Sequence, residues 1–564
     1  MINSKHTDRI CVFISILAVL LTVLFMNGEA LGIEKIVDGD AESYDGTEYF
    51  TANDLDAAWD DSAATIITCN GTDAVINGNG AYTYNGDVVI SNAGYYVVSG
   101  TLTDGSLIVD AHNSSKVWIR LAGVDITCSD DAGIRVNQAE KVFLTLAEGT
   151  ENSVTSGTVY SDSALSDNAG GAVFSHDDLT INGSGTLTVT ASYKHGFDVN
   201  DALVLAGGEI TVTAPADGLH VNDSVRITGT TLTINASDDA IHCDTEVIIA
   251  DGTILINGCY EGIEAPQITV EDGDITIYTS DDGFNANGGT IEPFLLINGG
   301  NITIVNETGR DADGLDSNGD ITINGGTILV SLTDGGMNSA IDYGSESGGK
   351  CVINGGTVIA CGSYGMAEHF DETSTQPAIL YNFTSGAGAG ETLALEDADG
   401  NVLLTWEVPC SLSSANISCP EITIGETYRV VIGDLEEEIT VEEVSASYGN
   451  AQSTGFGGNR NRGGGRGGRG QFPGYGMTGS ETPPELPEGM EDMGTPPELP
   501  EGVEDMGTPP GMQQMANTTD TTGTASAGIS LSELSTDAKA EIGVSALVMA
   551  AGIVAAAMYT RRKN

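Results

Sequence analysis

The stretch from Ala216 to Asp244, "ADGLHVNDSVRITGTTLTINASDDAIHCD", carries nearly the same phrase at both ends. An acidic residue, a small one, an aliphatic one and a polar one come in that order, and a strand-like run follows. The phrases "HGFDVND", "DGLHVND", "DAIHCDT", "EGIEAPQ", "DGFNANG", "DGLDSNG" and "SAIDYGS" stack in one register. Their second residues are Gly196, Gly218, Ala240, Gly262, Gly283, Gly314 and Ala340, giving spacings of 22, 22, 22, 21, 31 and 26 residues. Between the phrases lie period-two runs split by a glycine turn, such as "LVLAGGEITVTA" and "DITINGGTILVS". A period in the twenties without helical segments predicts a solenoid of β-coils. A leucine-rich repeat would show a leucine-asparagine signature and a helical return, and neither is present. Three short strands per coil suit an all-β parallel β-helix, each coil adding about 4.8 Å along the axis. The 31-residue coil is expected to carry an insertion around "IEPFLLINGGNITIVNETGR". Insertions in solenoids map to loops on one face, often the binding face.

The 564 residues include 81 acidic and 20 basic ones, a formal charge of −61. Nucleic acid and anionic lipid both need a basic footprint, so neither is expected as the main partner. The balance suits a surface protein, or one that gathers divalent cations. Residues 1–30 read as a signal peptide: Lys5 and Arg9 precede an apolar run, and small residues surround Ala30. Residues 31–89 form an N-terminal segment and the start of a cap, and the β-helix is placed at 90–375. Hairpin-like strands over 376–446 predict a small β-sandwich-like domain. Residues 447–541 hold "NRNRGGGRGGRG" and a duplicated "TPPELPEG". They cannot bury enough apolar surface to fold and read as a disordered linker. The Gly/Arg tract imitates an RNA-binding segment, but export favours a basic patch touching anionic wall polymer or the acidic body. Residues 542–559 predict a transmembrane helix and 560–564 a basic cytoplasmic tail. The expected product is exported and held at the cell surface by a helix in the cytoplasmic membrane. Without the signal, eight cysteines remain. Cys410 and Cys419, in one small domain, are expected to pair.

The phrases "GYYVVSGTLTDGSLIVDA", "GVDITCSDDAGI", "DDLTINGSGTLTVT", "DGLDSNGDITINGG" and "GGTVIACGSYGMAE" resemble the carbohydrate-binding domain proteins of clostridial-type cell surfaces. The resemblance runs from about Ile90 to Val444. It implies a right-handed parallel β-helix similar in architecture to pectate lyases. It further implies binding of plant-type polysaccharides such as cellulose or polygalacturonate, with calcium on the coils.

Asp217, Asp239, Glu261, Asp282 and Asp313 recur at one phase, and three residues on comes a second polar column: His220, His242, Glu264, Asn285, Asp316 and Asp342. Stacked carboxylates raise one another's pKa unless a cation intervenes. Calcium, which takes six to eight oxygens, is the expected cofactor. Its candidate ligands are Asp281, Asp282, Asp311, Asp313 and Asp316, with Asp217 and Asp239 behind them. The competing reading is that each aspartate turns the chain and caps backbone N–H groups. His220 and His242 are placed either to share a transition metal or to stand as a solvated ladder. For carbohydrate, Trp118 is the candidate platform. In "KVWIRL" the inward phase falls to Val117, Ile119 and Leu121, so Trp118 and Arg120 point outward. Tyr193 and Tyr260 lie near the acidic column and join the carbohydrate candidates. A lyase would need a base for the proton alpha to a uronate carboxylate, and Arg310, then Lys194, are its candidates. Three functions are therefore open: calcium-assisted polysaccharide binding, a pectate-lyase-type enzyme, and a structural adhesin or cell-envelope spacer.

Overall fold

The structure is a computed structural model that describes residues 49–58, 61–307, 312–335 and 337–449. In the coil of the quoted stretch, Leu219–Val221 leads, Ser224–Ile227 follows and Thr230–Ala236 closes. Each pairs in parallel with its counterpart one coil on: Ile241–Cys243, Glu246–Ile249 and Gly252–Gly258. Repetition builds a leading, a middle and a closing sheet around one core, a right-handed β-helix of about ten turns. The alternation seen in the sequence drives this. Val225 and Ile227 are fully buried while Arg226 between them is not, so each strand gives one face to the core and one to the outside.

Like sits on like inside the coil. Phe197, Leu219, Ile241, Ile263, Phe284, Leu315 and Ile341 follow one another in register along the leading sheet. All are buried. The small residue before each of them is imposed by crowding. A Cβ added at Gly314 would stand 2.7 Å from the Ala340 carbonyl oxygen and 2.2 Å from Val330 Cγ1. The "INGG" turns between the middle and closing sheets form a ladder of their own. Asn354 Nδ2 donates to Asn324 Oδ1 (2.9 Å), and Asn324 Nδ2 donates to Asn298 Oδ1 (2.8 Å).

The long coil departs from expectation in detail. Its strands Phe294–Ile297 and Asn301–Asn306 are regular and in register. Among the described residues the additional length lies instead ahead of the first of these strands, in the connection 287–293, which leaves the strands in register with the neighbouring coils.

At the N-terminal end, Ala81–Tyr84 pairs antiparallel with Asp87–Ile90 of the leading sheet. A strap over residues 51–56 crosses the middle sheet. There Asp54 accepts from Thr180 Oγ1 at 2.6 Å and pairs with Lys141 Nζ at 2.8 Å. At the other end, Leu412–Ser418 pairs antiparallel with Thr357–Gly362 of the last coil and with Ala378–Ala387. A four-stranded antiparallel sheet, Thr392–Asp397, Val402–Glu407, Thr427–Ile432 and Leu435–Thr440, follows. Its core includes Ile359 and Cys361 of the last coil.

The expected Cys410–Cys419 bond is not formed. Every described cysteine is a buried thiol, and Cys410 Sγ turns toward the Asn306 and Ser331 carbonyls, each at 3.5 Å. Among the described residues no helix is long and apolar enough to cross a membrane. The signal peptide 1–30, the linker from residue 450 and the helix at 542–559 lie outside the described residues.

The crowding at Gly314 yields a test of the coil. Gly314→Ala should cost about 1–3 kcal/mol of stability, read as a lower urea midpoint with the slope unchanged. An unchanged midpoint would show that the rung above can move aside.

Candidate functional site

The outward column of the leading sheet runs in unbroken register through Arg135, Phe174, Asp198, His220, His242, Glu264, Asn285, Asp316 and Asp342. The acidic column at the turn flanks it, and the two meet in clusters that change character along the axis.

In the earlier coils the clusters contain imidazoles. His195 Nδ1 and His220 Nδ1 lie 3.0 and 2.8 Å from Asp217 Oδ2. His195 and His220 stack at 4.2 Å, and His220 and His242 at 5.0 Å. Burial works against the Asp217 carboxylate, yet the two rings outweigh it and hold its pKa below the usual range. His242 Nδ1 stands between Asp239 Oδ2 (3.3 Å) and Glu264 Oε2 (2.6 Å). Hydrogen bonds to Asp239 and then Glu264 push its pKa up to about 11, so the ring is an imidazolium.

In the later coils only carboxylates meet. Oxygens of Asp313, Asp316 and Asp342 lie within 4.8 Å of one another. Burial first, and then neighbouring carboxylates, raise Asp282 to about 8, Asp313 to about 9 and Asp316 to about 7. Glu261 is raised to about 7 by burial and by Glu264. The turn reading also holds for several of these residues. Asp217 Oδ1 accepts from the Asp239 N–H (3.3 Å), Asp282 Oδ1 from Asp313 (2.6 Å) and Asp313 Oδ1 from Ser339 (2.7 Å). Each such bond engages one oxygen and leaves the carboxylate its second.

The sequence candidates divide accordingly. Asp282, Asp313 and Asp316 are brought together, with Asp342 added. Asp217 and Asp239 belong instead to histidine clusters. Asp281 meets the hydroxyl of the exposed Tyr260, whose pKa it raises to about 12. Arg310 and Asp311 lie outside the described residues. Lys194 stands over the Tyr193 ring (5.6 Å), and Tyr193 packs on Tyr160. Its coil is four rungs from Asp282, about 19 Å along the axis. Trp118 does point outward, with Val117, Ile119 and Leu121 fully buried. It is sandwiched between Tyr95 (4.9 Å) and Phe143 (5.3 Å), both nearly parallel to it. Arg120 is engaged by Asp61 at 3.1 Å. The sequence reading missed His195, although the signal was present: "HGFD" and "DGLH" exchange histidine and aspartate at the same two register positions.

Fold and column define a β-helical protein with an ordered polar column along its outer face. Residues 84–364 match the family described as carbohydrate-binding domain-containing protein. A carbohydrate-binding domain-containing protein of Acetivibrio thermocellus is 36% identical over 155 residues, which make up 27% of this chain and 54% of that protein. The chain thus spans about half the length of that curated relative. Among solved structures, a polysaccharide lyase-like protein from C. thermocellum, in a gadolinium derivative, is similar at 26% identity and a TM-score of 0.34. The match covers 51% of this chain and 96% of that one.

The His242 environment fixes a pH dependence. Its pKa rises from 6.5 to about 11 on folding, so its ion pairs stabilise fully below about pH 6.5 and are lost as pH climbs through 11. The destabilisation caused by His242→Gln should therefore be largest near pH 6 and shrink steadily toward pH 10 in urea unfolding. A difference that is constant with pH would refute the buried imidazolium.

Proposed function

We propose that this protein is a cell-surface polysaccharide-binding protein whose leading face holds an acidic glycan of the polygalacturonate type through calcium. The observation that carries this reading is the carboxylate cluster of Asp282, Asp313, Asp316 and Asp342 on three successive coils. Among the described residues no basic side chain forms an ion pair with Asp282, Asp313 or Asp316. Their raised pKa values mean that ionising them at neutral pH is costly without a cation, and oxygen-only donors on a rigid support suit a hard one. Asp313, Asp316 and Asp342 would hold the ion, with Asp282 beside them. Bound there, calcium supplies positive charge that a chain of −61 lacks, joining protein carboxylate to uronate carboxylate.

The regular rung spacing supports an extended partner, since equivalent side chains repeat along the axis. A neutral glucan such as cellulose has a different support in the exposed Tyr95, whose ring covers one face of Trp118 and offers a sugar its own outer surface. For a lyase, Lys194 is too far from the acidic cluster to act on a sugar bound there, so that reading rests on Arg310.

Calcium-stripped full-length protein should pass through a polygalacturonate column and be retained once calcium is restored. Asp313→Asn combined with Asp316→Asn should reduce the calcium-dependent retention at least about tenfold. Retention that ignores chelation would defeat the calcium bridge, and retention on no glycan would favour a structural spacer. Growth of unsaturated-uronate absorbance during incubation would replace binding by a lyase.

Stability offers an independent reading of the same cluster. Asp282, Asp313 and Asp316 have folded pKa values raised above the ordinary 3.8. They therefore favour the folded state below about pH 4, and that contribution is lost as pH rises through 7 to 9. Without calcium the melting temperature should fall between pH 5 and 9, and saturating calcium should remove most of the fall. The same slope with and without calcium would show that no ion enters the cluster.

A further inference from the structure

The geometry points to a second cation site of different chemistry, in which His195 Nδ1, Asp217 Oδ2 and His220 Nδ1 bind a divalent transition metal of the zinc type. This inference does not rest on the calcium reading and concerns other coils. Two imidazoles from adjacent rungs converge on one carboxylate oxygen, at 3.0 and 2.8 Å. All three ligand atoms lie within 4.8 Å of one another. The contacts are unequal in kind. His220 Nδ1 forms a hydrogen bond with Asp217 Oδ2, whereas His195 Nδ1 is a buried nitrogen with no hydrogen-bond partner among the described residues. It is close to the carboxylate but off the line that a hydrogen bond requires. A buried nitrogen that faces a carboxylate without a hydrogen bond of its own has a lone pair free to meet a cation.

The spacing fits as well. Bonds of 2.0–2.1 Å in a tetrahedral site set neighbouring ligand atoms about 3.3 Å apart. The two imidazole–carboxylate contacts would open by only a few tenths of an ångström, and the stacked rings, now 19° from parallel, would tilt toward each other so that both Nδ1 lone pairs meet the ion. Two imidazoles and one carboxylate suit zinc, nickel or copper rather than calcium, which wants oxygens alone. His220 retains 32% of its side-chain exposure, so the cluster borders solvent on that side. Three protein ligands and an open position are the pattern of sites that bind water or substrate rather than of closed structural ones.

The next cluster provides the contrast. His242 Nδ1 faces two carboxylates and its Nε2 lies 3.4 Å from Asp244 Oδ1. That ring already carries a proton compensated by charge, and a metal would have to displace it.

The test is a calorimetric titration of the metal-stripped full-length protein with zinc chloride in saturating calcium chloride. One zinc per chain should bind, and His195→Ala and His220→Ala should each weaken it at least about tenfold, while His242→Ala leaves it within about twofold. In histidine ring NMR spectra of the unsubstituted protein, zinc should move the His195 and His220 signals and leave that of His242 in place. This second readout stands even if a variant misfolds. No zinc binding, displacement of zinc by calcium, unchanged affinity in well-folded His195→Ala and His220→Ala, or movement of the His242 signal instead would each overturn the assignment.

Discussion

The backbone hydrogen bond from one coil to the next sets the height of every side chain in this molecule. Strands in such a ladder sit about 4.8 Å apart, so a residue at one register position has its counterparts directly above and below at that distance. Some chemistries gain from this. Isoleucine and phenylalanine stack into a dry core, and asparagines at 298, 324 and 354 satisfy one another in series. Tyr95, Trp118 and Phe143 lie ring on ring. Others are penalised, and carboxylates most of all, since like charges are forced together by a spacing they cannot change.

The leading sheet resolves that penalty differently along its length. In the earlier coils histidines alternate with aspartates, and opposite or hydrogen-bonding partners come together around Asp217 and Asp239. In the later coils no histidine intervenes, and Asp282, Asp313 and Asp316 are left with pKa values near or above neutrality. The same backbone thus presents two kinds of surface to solvent, a nitrogen-containing one and an oxygen-only one, separated by the coil of Glu261 and Glu264. Differences of ligand chemistry arise here from single substitutions within a fixed register.

Much of this was legible in the sequence because the repeat is short and local. The seven phrases align in the structure as they align on the page, including Gly283 and Gly314 across the 31-residue coil. The outward phase of Trp118 followed from alternation alone. What escaped depends on contacts that no period encodes. The strap that brings Asp54 to Thr180 joins residues 126 positions apart, and Asp61 reaches Arg120 across 59. The Cys410–Cys419 expectation failed because shared domain membership says nothing about which way a thiol turns. His195 stands at the register position that later coils fill with aspartate or glutamate, and no period tells which departure from the repeat carries chemistry.

Both ends of the β-helix are closed by antiparallel pairing, at Ala81–Tyr84 and at Leu412–Ser418. A parallel ladder is otherwise open to indefinite addition, since each terminal strand offers the next one a template. Reversing the chain direction withdraws the parallel template from the leading sheet at one end and from the closing sheet at the other. The outer face between the two ends then has a set length of about 50 Å. A rod-like molecule laid along that face would have to reach about the same length to touch its first and last coils together.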